Sequence, residues 1–354
     1  TRMNAYGTTS HVPDAGTGAG FGIIASTVIE LQMVLATGEL VTASHAHNAD
    51  VFKAALCSMG VLGVVTCVTL KVVPAFHLAS QEAPSTLSQT LGHLEDDLRG
   101  HDWYRFWWFP HTNATWEWRA KSLPPQRDTG AAASAQGGLA SRVLPMAWVA
   151  SWYAWVGGWA HWCLFTLFGF HILQAALFLT WFVPSLTPLI NALWQAVLFS
   201  WPRKSIDRSD RAFNFNCLFK QHVDEWAIPT SAVAEALHRL ERIIKEKHYQ
   251  AHFPVEVRFV RGDDIWCSPA FGRDTAYIGV IMYKPYGVEL PYRAFFDDFE
   301  RIMASLGGRP HWAKDFRFTA ADFAAAYPKW DDFRSLAFML DPKGVFSNEW
   351  ADRV

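Results

Sequence analysis

Two short stretches carry residue types that a hydrophobic core does not require. In Phe253-Pro254-Val255-Glu256-Val257-Arg258-Phe259 an acid and a base stand two residues apart in an apparent strand. Strand periodicity puts Glu256 and Arg258 on one face, roughly 7 Å apart at about 3.3 Å per residue, with Val255, Val257 and Phe259 on the other. A carboxylate beside a guanidinium can hold a polyol: the acid accepts hydroxyl protons while the Arg donates to oxygens or to a developing anion. In Gly307-Gly308-Arg309-Pro310-His311-Trp312-Ala313-Lys314 a His and a Lys surround a Trp just after a helix stop. Such a Lys can stabilise negative charge, and the His can donate a hydrogen bond or relay a proton. The bland alternatives are a structural ion pair for the first stretch, and a solvated Lys beside a core His for the second. Together the two stretches suit a site that holds a hydroxylated substrate against a redox cofactor.

The elements that position these residues are ordinary α+β patterning. Residues 255–261 alternate as a strand turned by Gly262-Asp263-Asp264, and 277–284 form another, ended by Pro285. Phe295, Phe299, Ile302 and Leu306 mark the apolar stripe of a helix that Gly307 caps, and Thr319-x-x-Asp322 opens a further short helix. Residues 231–248 are amphipathic, with Val233, Leu237, Leu240 and Ile244 at helical spacing and Glu235 placed to pair with Arg239. Nearer the start, 21–34 read as one or two strands, Ala36-Thr37-Gly38-Glu39 as a turn and 40–43 as the returning strand. A short helix follows Asn48, stopped by Gly60 and Gly63, and the β-branched run 64–73 is a strand closed by Pro74. Residues 76–130 mix strand-like aromatics (Tyr104 to Phe109) with polar loops, and 131–138 are a small-residue linker.

At 354 residues the chain has length for a large core and two domains. A net charge of -2 and a pI near 6.7 exclude the broad basic field of a nucleic-acid binder. The five cysteines are scattered and form no C-x-x-C pair, which argues for free thiols rather than a disulfide framework or zinc site. No charged region followed by an apolar run marks a secretory signal. The sequence opens on Thr1 within a turn-rich loop reaching Gly22, an unusual start for a domain, so we expect an N-terminally truncated fragment.

Between residues 143 and 202 there is no Asp, Glu, Lys or Arg. The stretch 158–183 has the length to cross a bilayer, for which about twenty apolar residues suffice. His161, His171 and Gln174 weaken a spanning reading. We expect the block to be embedded in or lying on a membrane; the alternative is a buried core or oligomer interface.

The run Gly16-Thr17-Gly18-Ala19-Gly20-Phe21-Gly22 fails the G-x-G-x-x-G spacing and follows a loop rather than a strand. It reads as flexible backbone whose N–H groups can approach a phosphate or a planar ring, or as a plain glycine loop.

The set PVEVRFVRGDDIWCSP, IMYKPYG, GGRPHWAK and LDPKGVFSN, in this order and spacing, resembles the aldonolactone oxidases of the vanillyl-alcohol-oxidase flavoprotein superfamily. FNFNCLFKQHVDEWAIP, YRFWWFPHT and NADVFKAALCSMGVLGVVTCVTL extend the resemblance over nearly the whole chain. It implies an α+β fold: the C-terminal portion of an FAD-binding domain over 1–75, then over 76–354 a cap domain with a large antiparallel sheet flanked by helices and the apolar insertion at 143–202. It further implies that Glu256, Arg258 and Lys314 contact the substrate and that His311 lies against FAD. Gly16, Thr17, Gly18, Gly22, Ile23 and Ile24 would line the flavin, and Val64 or Val65 would touch its adenine end. The implied reaction is oxidation of an aldono-1,4-lactone at C2 with O2 as acceptor, with membrane association in the endoplasmic reticulum or, alternatively, a mitochondrial membrane. A dehydrogenase of the same family, or a membrane-anchored scaffold without the flavin half, are the rival readings. Two departures stand out. Asp14-Ala15 occupy the place where such proteins usually carry a His, and the first FAD subdomain, with the His that often binds FAD covalently, is not in the sequence.

Overall fold

A computed structural model describes residues 22–123, 159, 162–209, 212 and 219–353. Among the described residues the strands fall into two sheets, changing over between Leu70 and His77. The first contains β1 (Val28–Val34), β2 (Leu40–Ser44) and β3 (Val64–Leu70), ordered β2-β1-β3 and antiparallel throughout. The hairpin and the third strand match the reading of 28–70, but the strand expected from residue 21 begins only at Val28. Ile24–Thr27 form a 3-10 turn instead. The Ser26 and Thr27 hydroxyls donate to the carbonyls of Ile23 and Ile24 at 2.6 and 2.8 Å, a local bond that competes with strand pairing. The chain re-enters β3 through Gly63, whose φ is +154°; a Cβ there would lie 2.6 Å from the carbonyl oxygen of Val34.

The second sheet has eight strands: β4 (His77–Thr86), β5 (Trp103–Trp108), β6 (Ala114–Leu123), β7 (Arg203–Arg208), β8 (Gln221–Pro229), β9 (Val255–Val260), β10 (Thr275–Tyr283) and β11 (Arg309–Pro310). They are ordered β11-β8-β10-β9-β5-β6-β4-β7, each pair antiparallel. Val255, Val257 and Phe259 of β9 enter the main core, together with Leu237 and Leu240 of helix Val233–Glu246 and Phe296 and Phe299 of helix Arg293–Ser305. The Glu235–Arg239 pair forms at 2.6 Å, and Gly307 caps the second of these helices with φ +72°. The same core takes in Leu31, Phe52 and Leu62, so one apolar cluster runs through both sheets. Strands β4, β6, β7, β8 and β11 escape the sequence pattern. β7 is charged and exposed along its whole length, and β11 is two residues long, so neither has a period to read.

Within the apolar block, the described part holds a π-helix Trp162–Ile172, helices Leu173–Leu179 and Thr187–Leu198, and a 3-10 turn Pro184–Leu186 between them. The remainder of 143–158, with residues 160 and 161, lies outside the described residues. Leu173, Leu177, Ile190, Trp194 and Leu198 are buried in a second cluster against Phe109, Trp116 and Trp118. Asn191 ties the block to the sheet, its amide donating to the carbonyls of Pro110 and Ala251 at 3.1 and 2.9 Å. Its inner face is therefore protein core. Among the described residues no helix is long and apolar enough to cross a membrane.

Candidate active site

Strand register assembles the site as two rungs across the second sheet. Trp107, Glu256, Gly279 and Glu225 lie abreast on β5, β9, β10 and β8. One step along, Arg105, Arg258, Tyr277, Ala227 and Arg309 lie abreast on β5, β9, β10, β8 and β11. Paired residues of an antiparallel ladder point to the same face, so Glu256 and Arg258 share one face with Arg105 and Glu225. The predicted facing of β9 holds.

The charges alternate along this face. Arg105 approaches Glu256 at 3.5 Å, the Arg258 Nε lies 3.8 Å from Glu256 Oε2, and the far end of the Arg258 guanidinium binds the Glu225 carboxylate directly. Trp107 Nε1 donates to Glu256 at 3.3 Å, and the Arg105 guanidinium lies 4.6 Å over the Trp118 ring. Arg258 is 2% exposed, whereas the Glu256 side chain keeps 20% exposure. Burial alone would raise the Glu225 carboxyl, but the Arg258 guanidinium, assisted by His311 and Lys314, holds it below its usual value. Burial also works to lower Arg258, yet Glu225 and Glu256 override it and hold that side chain firmly protonated. Arg105 is shifted down by burial and by Arg258, Glu256 opposing.

The His311–Lys314 turn continues the sheet beyond β11. The His311 N–H donates to the Glu225 carbonyl at 2.9 Å, and the Lys314 N–H donates to the His311 carbonyl at 3.0 Å. Arg309 donates to three carbonyls, of Pro269, Phe271 and Ala326. Trp312 donates to the Cys267 carbonyl at 2.7 Å and stacks on Phe323 with ring centroids 4.6 Å apart. The turn is thus anchored on both flanks. His311 is buried, which pushes its pKa down to about 4, with Glu225 opposing. Its Nδ1 accepts from the Ala313 N–H at 3.1 Å, so the neutral ring carries its proton on Nε2 and acts as a donor. Lys314 is half-buried and close enough for its charge to act on both Glu225 and His311.

Glu256, Arg258, His311 and Lys314 are therefore brought together. Of the other expected residues, Gly22 and Ile24 are half-buried and Ile23 is buried at the 3-10 turn leading into β1, while Val64 and Val65 stand exposed on β3. Gly16, Thr17 and Gly18 lie outside the described residues. Sequence reading missed Glu225, Arg105 and Trp107. The first is one of two adjacent acids in QHVDEWAIP, and only the spacing Arg105-x-Trp107 within an aromatic strand signals the others. A separate cluster of His93, Asp97 and Glu117 has metal-like spacing, but the Arg119 guanidinium binds both Asp97 oxygens and Glu117 at 2.6–2.8 Å, in the position a cation would take.

The family model for D-arabinono-1,4-lactone oxidase matches residues 68–354. The L-gulonolactone oxidase of Scyliorhinus torazame is 37% identical over 339 residues, covering 96% of this chain and 70% of that protein. The L-gulono-1,4-lactone dehydrogenase of Mycobacterium tuberculosis is 31% identical over 346 residues, covering 96% and 71%. Among solved structures, a solvent-stable cholesterol oxidase superposes with a TM-score of 0.64 at 18% identity, covering 95% of this chain and 71% of that one. That likeness is one of fold.

Proposed function

The chain belongs to the D-arabinono-1,4-lactone oxidase family, and from that premise we propose that it oxidises an aldono-1,4-lactone at C2, L-gulono-1,4-lactone before others, with FAD as cofactor and O2 as acceptor. The observation that carries this reading is the alternating row Arg105, Glu256, Arg258 and Glu225 beside Lys314. Three cations against two carboxylates leave the site with excess positive charge. That suits a reduced flavin and a developing oxygen anion, and so the residues present fit the cofactor. Family membership implies a flavin; FAD is the form proposed.

When bound, FAD supplies the two-electron acceptor. Glu256, partly exposed and steadied by Trp107, accepts hydrogen bonds from the sugar hydroxyls. Arg258 donates toward the C2 oxygen as charge gathers there, and Lys314 adds a second positive charge. His311 contributes an Nε2–H donor rather than a base, because its Nδ1 is engaged. The product is a 2-keto lactone, which enolises to ascorbate or an analogue, and peroxide is the reduced form of O2.

The test is an absorption spectrum of the protein purified from its complete open reading frame, followed by lactone-dependent peroxide release. A flavin spectrum with peroxide supports the oxidase. Reduction of an artificial acceptor without peroxide favours dehydrogenase chemistry, the second reading, which the Mycobacterium tuberculosis relative supports. No response to any aldonolactone overturns both.

Membrane association through 143–202 completes the reading, with the endoplasmic reticulum favoured over a mitochondrial membrane. Its support is that helices Leu173–Leu179 and Thr187–Leu198, buried on their inner face, also expose Leu179, Leu189 and Leu193 outward, next to Trp181, Phe182 and Trp201. An apolar outer face over a charge-free segment suits a helix pair lying in the interface rather than a spanning helix.

A further inference from the structure

Glu225 connects the two halves of the site, and beyond its charge the reading above gives it no contact with the substrate. Its carbonyl accepts the His311 N–H, so its backbone is laddered to the turn that carries Lys314. Its side chain is buried and engages the Arg258 guanidinium, although Arg258 sits on β9 and Glu225 on β8 with β10 between them. The Glu225 side chain has room to lie over β10 because the residue on its rung there is Gly279; a Cβ there would already touch Glu225 Cγ at 3.7 Å.

Two buried arginines, Arg105 and Arg258, face one another in register on β5 and β9. Each needs a counter-charge, and Glu256 lies within reach of both. Were Glu256 the sole acid, both guanidinium groups would converge on it and occupy the oxygens that a polyol must reach. Glu225 draws Arg258 the other way, and the Nε–Glu256 separation stays at 3.8 Å rather than closing to a tight pair.

We propose that Glu225 is a positioning residue for lactone oxidation: it holds the Arg258 guanidinium off Glu256, keeps the Glu256 carboxylate open to substrate hydroxyls, and locks that pose to the turn bearing Lys314. This rests on the proposed aldonolactone chemistry. The rival is a salt bridge that serves stability alone.

The experiment uses the flavin-loaded protein and its Glu225→Gln and Glu225→Asp variants. Two quantities are read: tryptophan-fluorescence binding of a non-oxidisable 2-deoxy-aldonolactone, and kcat and KM with the lactone. Glu225→Gln can fold poorly, because removing one partner strands a buried charge. Glu225→Asp keeps the charge and withdraws it by one methylene. The expected result for Glu225→Asp is normal flavin content with about tenfold or greater weakening of analogue binding and of kcat/KM, since misplacement by about 1 Å can cost a hundredfold. In an Arg258→Gln background the same change is expected to have almost no further effect, because Glu225 acts through Arg258. The role is overturned if Glu225→Asp binds and turns over like wild type, or if its effect persists undiminished without Arg258. A wild-type protein that neither binds nor oxidises any aldonolactone overturns the functional reading itself, a distinct outcome.

Discussion

Arg258 reaches Glu225 across an intervening strand, and the Glu225 side chain lies over Gly279, where a larger residue's side chain would otherwise stand. The contact joins two separate segments of the sequence, and it orders the charges of three strands into Arg105, Glu256, Arg258 and Glu225. A buried chain of this kind is a poor source of stability, since desolvation consumes most of the Coulombic gain. Its value lies in orientation.

The crossing at Gly279 can be closed by degrees. An alanine Cβ would meet Glu225 at 3.7 and 3.9 Å, ordinary contact, so Gly279→Ala is expected to keep turnover. Gly279→Val presses branched carbon against the Glu225 side chain that holds the guanidinium and is expected to lower kcat/KM about tenfold or more, with flavin content unchanged. Steady-state kinetics on the two variants decides it; equal turnover in both would show that the Glu225–Arg258 contact does not need the space over Gly279.

Removal of the guanidinium itself should be costlier. One well-placed donor commonly contributes about 3 kcal/mol to transition-state stabilisation, so Arg258→Ala is expected to lower turnover on the order of a hundredfold or more while FAD stays bound. Near-normal kcat/KM in this variant would remove Arg258 from the chemistry.

Two buried histidines predict the acid side of the stability profile. Burial pushes His252 down to about 3, with the charge of His111 adding to the effect, and pushes His311 down to about 4. Both lie below the usual value of about 6.5, so the unfolded chain binds protons that the folded chain refuses. Their contribution is complete above about pH 6.5 and is lost as pH falls, through about 4 for His311 and about 3 for His252, at about 1.4 kcal/mol per pH unit for each. Chemical denaturation between pH 7 and 4 should show this decline. His252→Gln, which retains an acceptor for the Tyr283 N–H now bonded at 2.9 Å, should make it shallower.

If the apolar outer face lies on a membrane, Trp181→Asp, Phe182→Asp and Leu189→Asp together should release the protein from phospholipid vesicles in a flotation assay. All three side chains are exposed and outside the charged row, so turnover of the released protein is expected to match wild type. Continued vesicle binding would place the membrane contact elsewhere.

Much of this site is legible in the sequence because it is local. Glu256 and Arg258 share a face through the two-residue period of one strand, and Gly307 announces the helix end that launches the His311–Lys314 turn. The 3-10 turn at Ile24–Thr27 departs from the expected strand because side-chain hydroxyls, rather than hydrophobic periodicity, decide that segment. The apolar block showed no charge to separate core from surface, and packing against the sheet alone divides its inner face from its outer one.

By itself, then, the sequence determined the α+β class, the family, and the residues of the Glu-x-Arg strand and the His-Trp-Ala-Lys turn. Tertiary structure decided what Arg258 binds. Asp224 and Glu225 are adjacent acids, and no local pattern separates them. The register of β8 against β10 sends Glu225 to the charged face, where Arg258 holds its carboxyl below the usual value. It sends Asp224 to the opposite face, where burial, with Glu300 nearby, pushes its carboxyl well up. Successive strand residues point to opposite sides, so a one-residue slip would exchange the two acids. That register is set by burial across the whole sheet, and the sum of those contacts exists only in the folded chain.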